Sequence, residues 1–183
     1  MKIILLRHGP PDFKAHWLKP NNGVKRALAL YAASHVIEGP PAKLQVMSSV
    51  VNICITSTLV GTVDSAQRLG FKNALALALF NESELPCPNT LLVPLPWKVY
   101  LLIFRLLWLV GMRLNCPGIS SDRKRAREGS EYLSHLAKRN GTVLLIGHGV
   151  MNRLLCKALQ RSGWQVDEKT GSGYWSSITL SYH

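Results

Sequence analysis

Two apolar runs end in the same way. Ile3-Ile4-Leu5-Leu6 leads into Arg7-His8-Gly9, and Val143-Leu144-Leu145-Ile146 leads into Gly147-His148-Gly149. An unbroken apolar run closed by glycine reads as a strand buried on both faces, the kind found in parallel sheets. The β-branched stretch from Val50 to Thr56 predicts a third such strand. Between the strands the period changes to that of a helix. Val24, Ala27, Leu28, Leu30, Tyr31 and Val36 mark an amphipathic helix over 24–37, with Asn21-Asn22 as its cap and Gly39-Pro40-Pro41 as its stop. Residues 59–69 predict a helix closed by Gly70. A helix carrying Glu131, Tyr132, Leu133, Leu136 and Ala137 stops at Asn140-Gly141, after a loop over 115–121. Another spans 150–160, with Leu154, Leu155, Ala158 and Leu159 inward, Arg153 in a structural place, and Gly163-Trp164 at its end. Residues 74–80 are ambiguous, and their short length between Gly70 and Asn81 favours a strand. A Gly171-Ser172-Gly173 loop precedes a final strand over 175–182. Alternating strands and helices predict an α/β fold: a three-layer α/β/α sandwich around a mostly parallel sheet.

The 183 residues suffice for one domain, 1–183, with a proline-rich and apolar insertion at about 85–118. Residues 85–96 hold four prolines and read as an extended wall. Residues 99–112 are the most apolar stretch, short for a membrane span and carrying Arg105 at its centre. A helix packed on the domain or at a homo-oligomer interface is the default reading, and a helix lying on a membrane surface is the intermediate one. A mouth for an apolar substrate tail is a further option.

The formal net charge of +12 suits an anionic partner: nucleic acid, an anionic membrane or an anionic substrate. No specific nucleic-acid motif accompanies it, and the aromatics do not interleave with the basic cluster at 123–127. That cluster reads first as a solvated helix face. Cys54, Cys87, Cys116 and Cys156 form no CxxC pair and no Cys-His spacing for metal. They read as reduced thiols, which fits a cytoplasmic chain. The apolar run after Met1-Lys2 is too short for a signal peptide.

Ligands of open α/β sheets bind beyond the carboxyl ends of the strands, where Arg7, His8 and His148 fall. A neutral imidazole is a competent nucleophile, an arginine fork holds two phosphoryl oxygens, and a protonated His148 would add a donor. Phosphoryl transfer through a histidine is the chemistry that fits. Pro10-Pro11-Asp12 would form a stiff rim, with Trp17 and Lys19 following.

Arg7-His8-Gly9 and Gly147-His148-Gly149 resemble the signatures of the histidine phosphatase superfamily, also called phosphoglycerate mutase-like, and the resemblance spans most of the chain. It implies the same three-layer fold and no metal or other cofactor. His8 would be the phosphorylated nucleophile, and Arg7 and His148 would bind the phosphoryl group. A carboxylic acid after a short apolar strand would protonate the leaving group: Glu82 first, Glu84 second. Ser57-Thr58-Leu59-Val60-Gly61-Thr62-Val63-Asp64-Ser65-Ala66 matches the family's middle segment at Ser57, Leu59 and Ala66, which places Ser57 in the phosphate pocket. Gly61 stands where the family carries a second phosphate-binding arginine, and Arg68 is a poorly placed substitute. The expected function is a phosphomonoester hydrolase acting on a small phosphorylated substrate. The alternative is a weakened or inactive relative that binds a phospho-ligand or a protein partner.

Overall fold

A computed structural model describes residues 1–13, 17–18, 23–87 and 95–183. Its six-stranded sheet is built from β1 (Lys2–Arg7), β3 (Ile53–Thr56), β4 (Leu75–Ala76), β6 (Thr142–Gly147), β7 (Gln165–Lys169) and β8 (Ser177–Ser181). The order is β4-β3-β6-β1-β8-β7. The first four run parallel, β8 is antiparallel to β1, and β7 is antiparallel to β8. A separate two-stranded ribbon pairs β2 (Trp17–Leu18) with β5 (Leu95–Pro96).

The apolar runs are buried on both faces, as expected for central parallel strands. In β1, Ile3 and Leu5 point to one side and Ile4 and Leu6 to the other. In β6, Val143 and Leu145 alternate with Leu144 and Ile146. The first face packs on Leu133 of α6 (Gly118–Asn140) and on Met151 and Leu155 of α7 (Gly149–Arg161). The second packs on Ala66 of α4 (Val60–Arg68) and on Leu44 of α2 (Ala42–Gln45). A smaller core joins Ala27 of α1 (Gly23–Ala32) to Tyr100 and Phe104 of α5 (Trp97–Leu109).

Several expected boundaries move. The helix expected over 24–37 ends at Ala32, and Val36 instead packs into the core. Residues 47–50 form a short helix, α3 (Met47–Val50), so β3 starts at Ile53 rather than Val50. Residues 74–80 divide into β4 and a 3₁₀ turn that buries Phe80. The loop expected over 115–121 is shorter, because α6 begins at Gly118. The apolar stretch forms α5, and no helix among the described residues is long and apolar enough to cross a membrane. The Asn21-Asn22 cap, Lys19, the Trp17 side chain and most of the proline-rich wall lie outside the described residues.

Candidate active site

The register of β1 against β6 sets Arg7 opposite Gly147, so the next residues, His8 and His148, emerge side by side. The His8 amide donates to the Gly147 carbonyl (3.1 Å), and the two rings lie 5.0 Å apart. The adjacent β3 pairs Thr56 with Ile146 and delivers Ser57 behind His148. The backbone after His8 lies so close to Trp175 and Val36 that a Cβ on Gly9 would sit 2.5 Å from each, so only glycine fits there.

His8 Nδ1 is 2.7 Å from the Gly9 carbonyl oxygen. A carbonyl can only accept, so Nδ1 carries the proton and Nε2 holds the lone pair of the neutral ring. Burial is the main cause that lowers the His8 pKa from its usual 6.5 to about 4, with His148 next; the bond to Gly9 opposes it. Burial, helped by Arg7 and Arg125, lowers His148 to about 3. Both rings are therefore neutral near pH 7 in the unliganded protein, so a protonated His148 is not its resting state.

The Ser57 hydroxyl lies 2.8 Å from His148 Nε2 and 2.8 Å from Thr62 Oγ1. Ser57 is fully buried and does not line the cavity. Its hydrogen bond is to the ring of His148, which does line the cavity. Arg7 donates from Nη1 to the Ser172 carbonyl (2.9 Å) and lies 4.4 Å from the centre of the Tyr174 ring. Its Nε is buried with no partner among the described residues. Ser172 and Tyr174 thus hold their segment against Arg7, and Tyr174 also faces His8 at 5.5 Å.

The Glu82 carboxylate sits at the start of α7. It accepts from the amides of Met151 (3.1 Å), Val150 (3.3 Å) and Ser83 (3.0 Å). A carboxylate suits the positive end of a helix. Glu84 is exposed on the same wall. Arg68 is turned away, donating to Asp64 (3.3 Å) and to the Val36 carbonyl (2.6 Å).

Arg7, His8, Glu82, Glu84 and His148 line one cavity of about 510 Å³. Two arginines that sequence reasoning placed elsewhere join them, Arg105 of α5 and Arg153 of α7. Arg105 Nη1 is buried with no acceptor among the described residues. The signal for Arg105 was a lone cation in the middle of an apolar helix. For Arg153 it was a position one turn after the Gly-His-Gly signature, on the same helix.

No protein family model matches the sequence, and no curated protein is significantly similar to it. Solved structures match over nearly the whole chain. The product of an open reading frame from Mycobacterium tuberculosis is 14% identical, with a TM-score of 0.63, over 100% of this chain and 91% of that one. A mycobacterial glucosyl-3-phosphoglycerate phosphatase, solved with VO3, is 16% identical, with a TM-score of 0.57, over 98% and 92%. A mutant phosphoserine phosphatase from Entamoeba histolytica, solved with phosphoserine, is 16% identical, with a TM-score of 0.56, over 100% and 91%. The chain has the fold of the histidine phosphatases. Within this histidine phosphatase fold, the two signature histidines meet at the carboxyl ends of neighbouring central strands, and Gly61 opens the first turn of α4 directly beside the His8 ring.

Proposed function

We propose that the chain is a phosphomonoester hydrolase that works through a phosphohistidine on His8. One observation carries the reading. The His8 proton is committed to the Gly9 carbonyl, and burial keeps the ring neutral, so Nε2 is a ready nucleophile. Its lone pair attacks phosphorus, the bond to the leaving oxygen breaks, and the departing alkoxide takes the proton of a carboxylic acid. Glu82 is the first choice for that acid because it is fixed in place, and Glu84 is the second. Water then gives a proton back to the carboxylate left by the first step and attacks phosphorus, the Nε2–P bond breaks with its electron pair returning to Nε2, and inorganic phosphate is released. The phosphatases among the structural neighbours support the hydrolytic class.

The phosphoryl oxygens need cations and donors as charge develops on them. Arg7 offers an unpartnered Nε. With Ser57 donating to His148 Nε2, the opposite N–H of that ring is free to donate to an oxygen. The position of the missing arginine is empty of charge at Gly61, and Arg105 supplies it from the other wall. The mechanism asks nothing of a metal ion.

The test is hydrolysis of an aryl phosphate by wild type, His8→Ala, Glu82→Gln and Glu84→Gln, with alkaline quenching to trap labelled protein. The wild type should turn over and form an acid-labile, base-stable phosphoenzyme. His8→Ala should lose at least about a thousandfold in kcat and all labelling. Retained labelling in His8→Ala would refute the assignment of the nucleophile. A larger loss in Glu84→Gln than in Glu82→Gln would move the acid to Glu84.

A further inference from the structure

The cavity at His8 is not closed at its far wall. A second cavity of about 810 Å³ lies between α5, α6 and α7. The two share Leu101, Arg105, Val150 and Arg153 in their linings, so they adjoin across the two arginines. Arg105, Arg123, Arg127, Arg153, Lys157 and Arg161 line the second cavity, and among the described residues no Asp or Glu does.

The spacing is regular. Arg153, Lys157 and Arg161 recur every fourth residue, on one face of α7, at steps of about 6 Å. Arg123 and Arg127 repeat the step on α6. Neighbouring cations that do not line this cavity are neutralised, Arg125 by Asp122 at 2.6 Å and Lys124 by Glu128 at 3.9 Å. Among the described residues, none of the six lining cations forms an ion pair. Burial disfavours the charged form of Arg105, Glu82 and Asp122 favour it, and Arg153 adds to the effect of burial. Like charges gathered along one groove repel, and a bound anion would relieve the repulsion.

We infer that this groove is a second anion site continuous with the phosphoryl site. The substrate is then a molecule with at least two phosphate-class anions, one at His8 and another about 6–12 Å further along α7. The inference rests on the phosphatase reading for the group at His8, but the groove's own claim concerns binding.

It is tested in the His8→Ala protein, where turnover cannot interfere, by calorimetric titration with hexane-1,6-diol bisphosphate and with hexyl monophosphate. The bisphosphate should bind about tenfold more tightly. Adding Lys157→Gln and Arg161→Gln, both at exposed positions, should remove that advantage and leave monophosphate affinity unchanged. Equal affinity for the two ligands, or equal loss of both in the double variant, overturns the inference. Sedimentation with phosphatidylserine vesicles distinguishes the source of the anion. Retention on vesicles that falls with the same double variant, alongside the bisphosphate preference, assigns the second anion to a lipid surface. The preference without retention assigns it to a soluble substrate. Retention without the preference overturns the inference. Absence of aryl phosphatase activity in the wild type would strike the catalytic reading and leave these binding results standing.

Discussion

A Cβ at position 61 would sit 3.3 Å from His8 Nδ1. The nitrogen cannot retreat freely, because its proton is held by the Gly9 carbonyl at 2.7 Å. Restoring an arginine here is therefore a steric change to the nucleophile before it is an electrostatic gain. Gly61→Ala is expected to lower aryl phosphatase kcat/KM about tenfold and to cost about 1 kcal/mol of stability, read from steady-state kinetics and denaturant melts. Gly61→Arg should fall at least as far. A rise in activity with arginine would mean that the ring gives way and that the pocket lacks a cation. Ser57 teaches a related lesson. Its match to a phosphate-pocket position was legible in the sequence, but its burial behind His148 was not, since burial depends on which strand lies next to which.

At the scale of elements, the central strands were the most legible part. Unbroken apolar runs can be satisfied only between two layers, so β1 and β6 follow directly from composition. Edge elements carry no such imprint. β7 reads Gln-Val-Asp-Glu-Lys, is largely exposed and among the described residues pairs only with β8, so neither face forces an apolar pattern. The 3₁₀ turn at Ala78–Phe80 was hidden for a different reason: Phe80 takes its place from long-range packing against Tyr132 on α6. The helix α5 was seen, but the role of its one central cation was not. Arg105 lies 5.1 Å from the Trp108 ring centre and lines the His8 cavity. Arg105→Gln should reduce kcat/KM on the order of a hundredfold while leaving the α-helical circular dichroism intact, as loss of a donor aimed at developing charge does. An unchanged rate would remove Arg105 from the phosphoryl pocket and leave Arg153 as the remaining candidate.

For the whole molecule, the two buried imidazoles set an acid limit on stability. Their native pKa values, about 4 and about 3, lie below the 6.5 of the unfolded chain. Between those values the unfolded state binds more protons, so stability rises with pH. It should be complete above about pH 6.5 and should fall on acidification by about 1.4 kcal/mol per pH unit for each ring, levelling off once both native rings are protonated. Denaturant titrations from pH 7 to 4 check this, and His148→Gln should flatten the slope by about half. A slope unchanged by that substitution would place the linkage in other groups. The positive charge, read at first as a general preference for anions, is also organised in space. Its unpaired members gather where two cavities meet, while others are neutralised along α6.

The pairing of β1 with β8 has a mechanical consequence. Lys2 lies opposite Ser181 and Leu6 opposite Ser177, and the Met1 amino group reaches the Tyr182 carbonyl at 3.4 Å. The start of β1 and the end of β8 therefore lie side by side at one end of this antiparallel pair. Tension applied between residues 1 and 183 would open their ladder like a zipper, one rung after another, instead of shearing all the rungs at once. Such a fold yields readily when drawn by those two points. Drawn instead between Lys2 and Gly147, at opposite ends of the parallel β1–β6 pair, it would load that ladder in shear and resist far more.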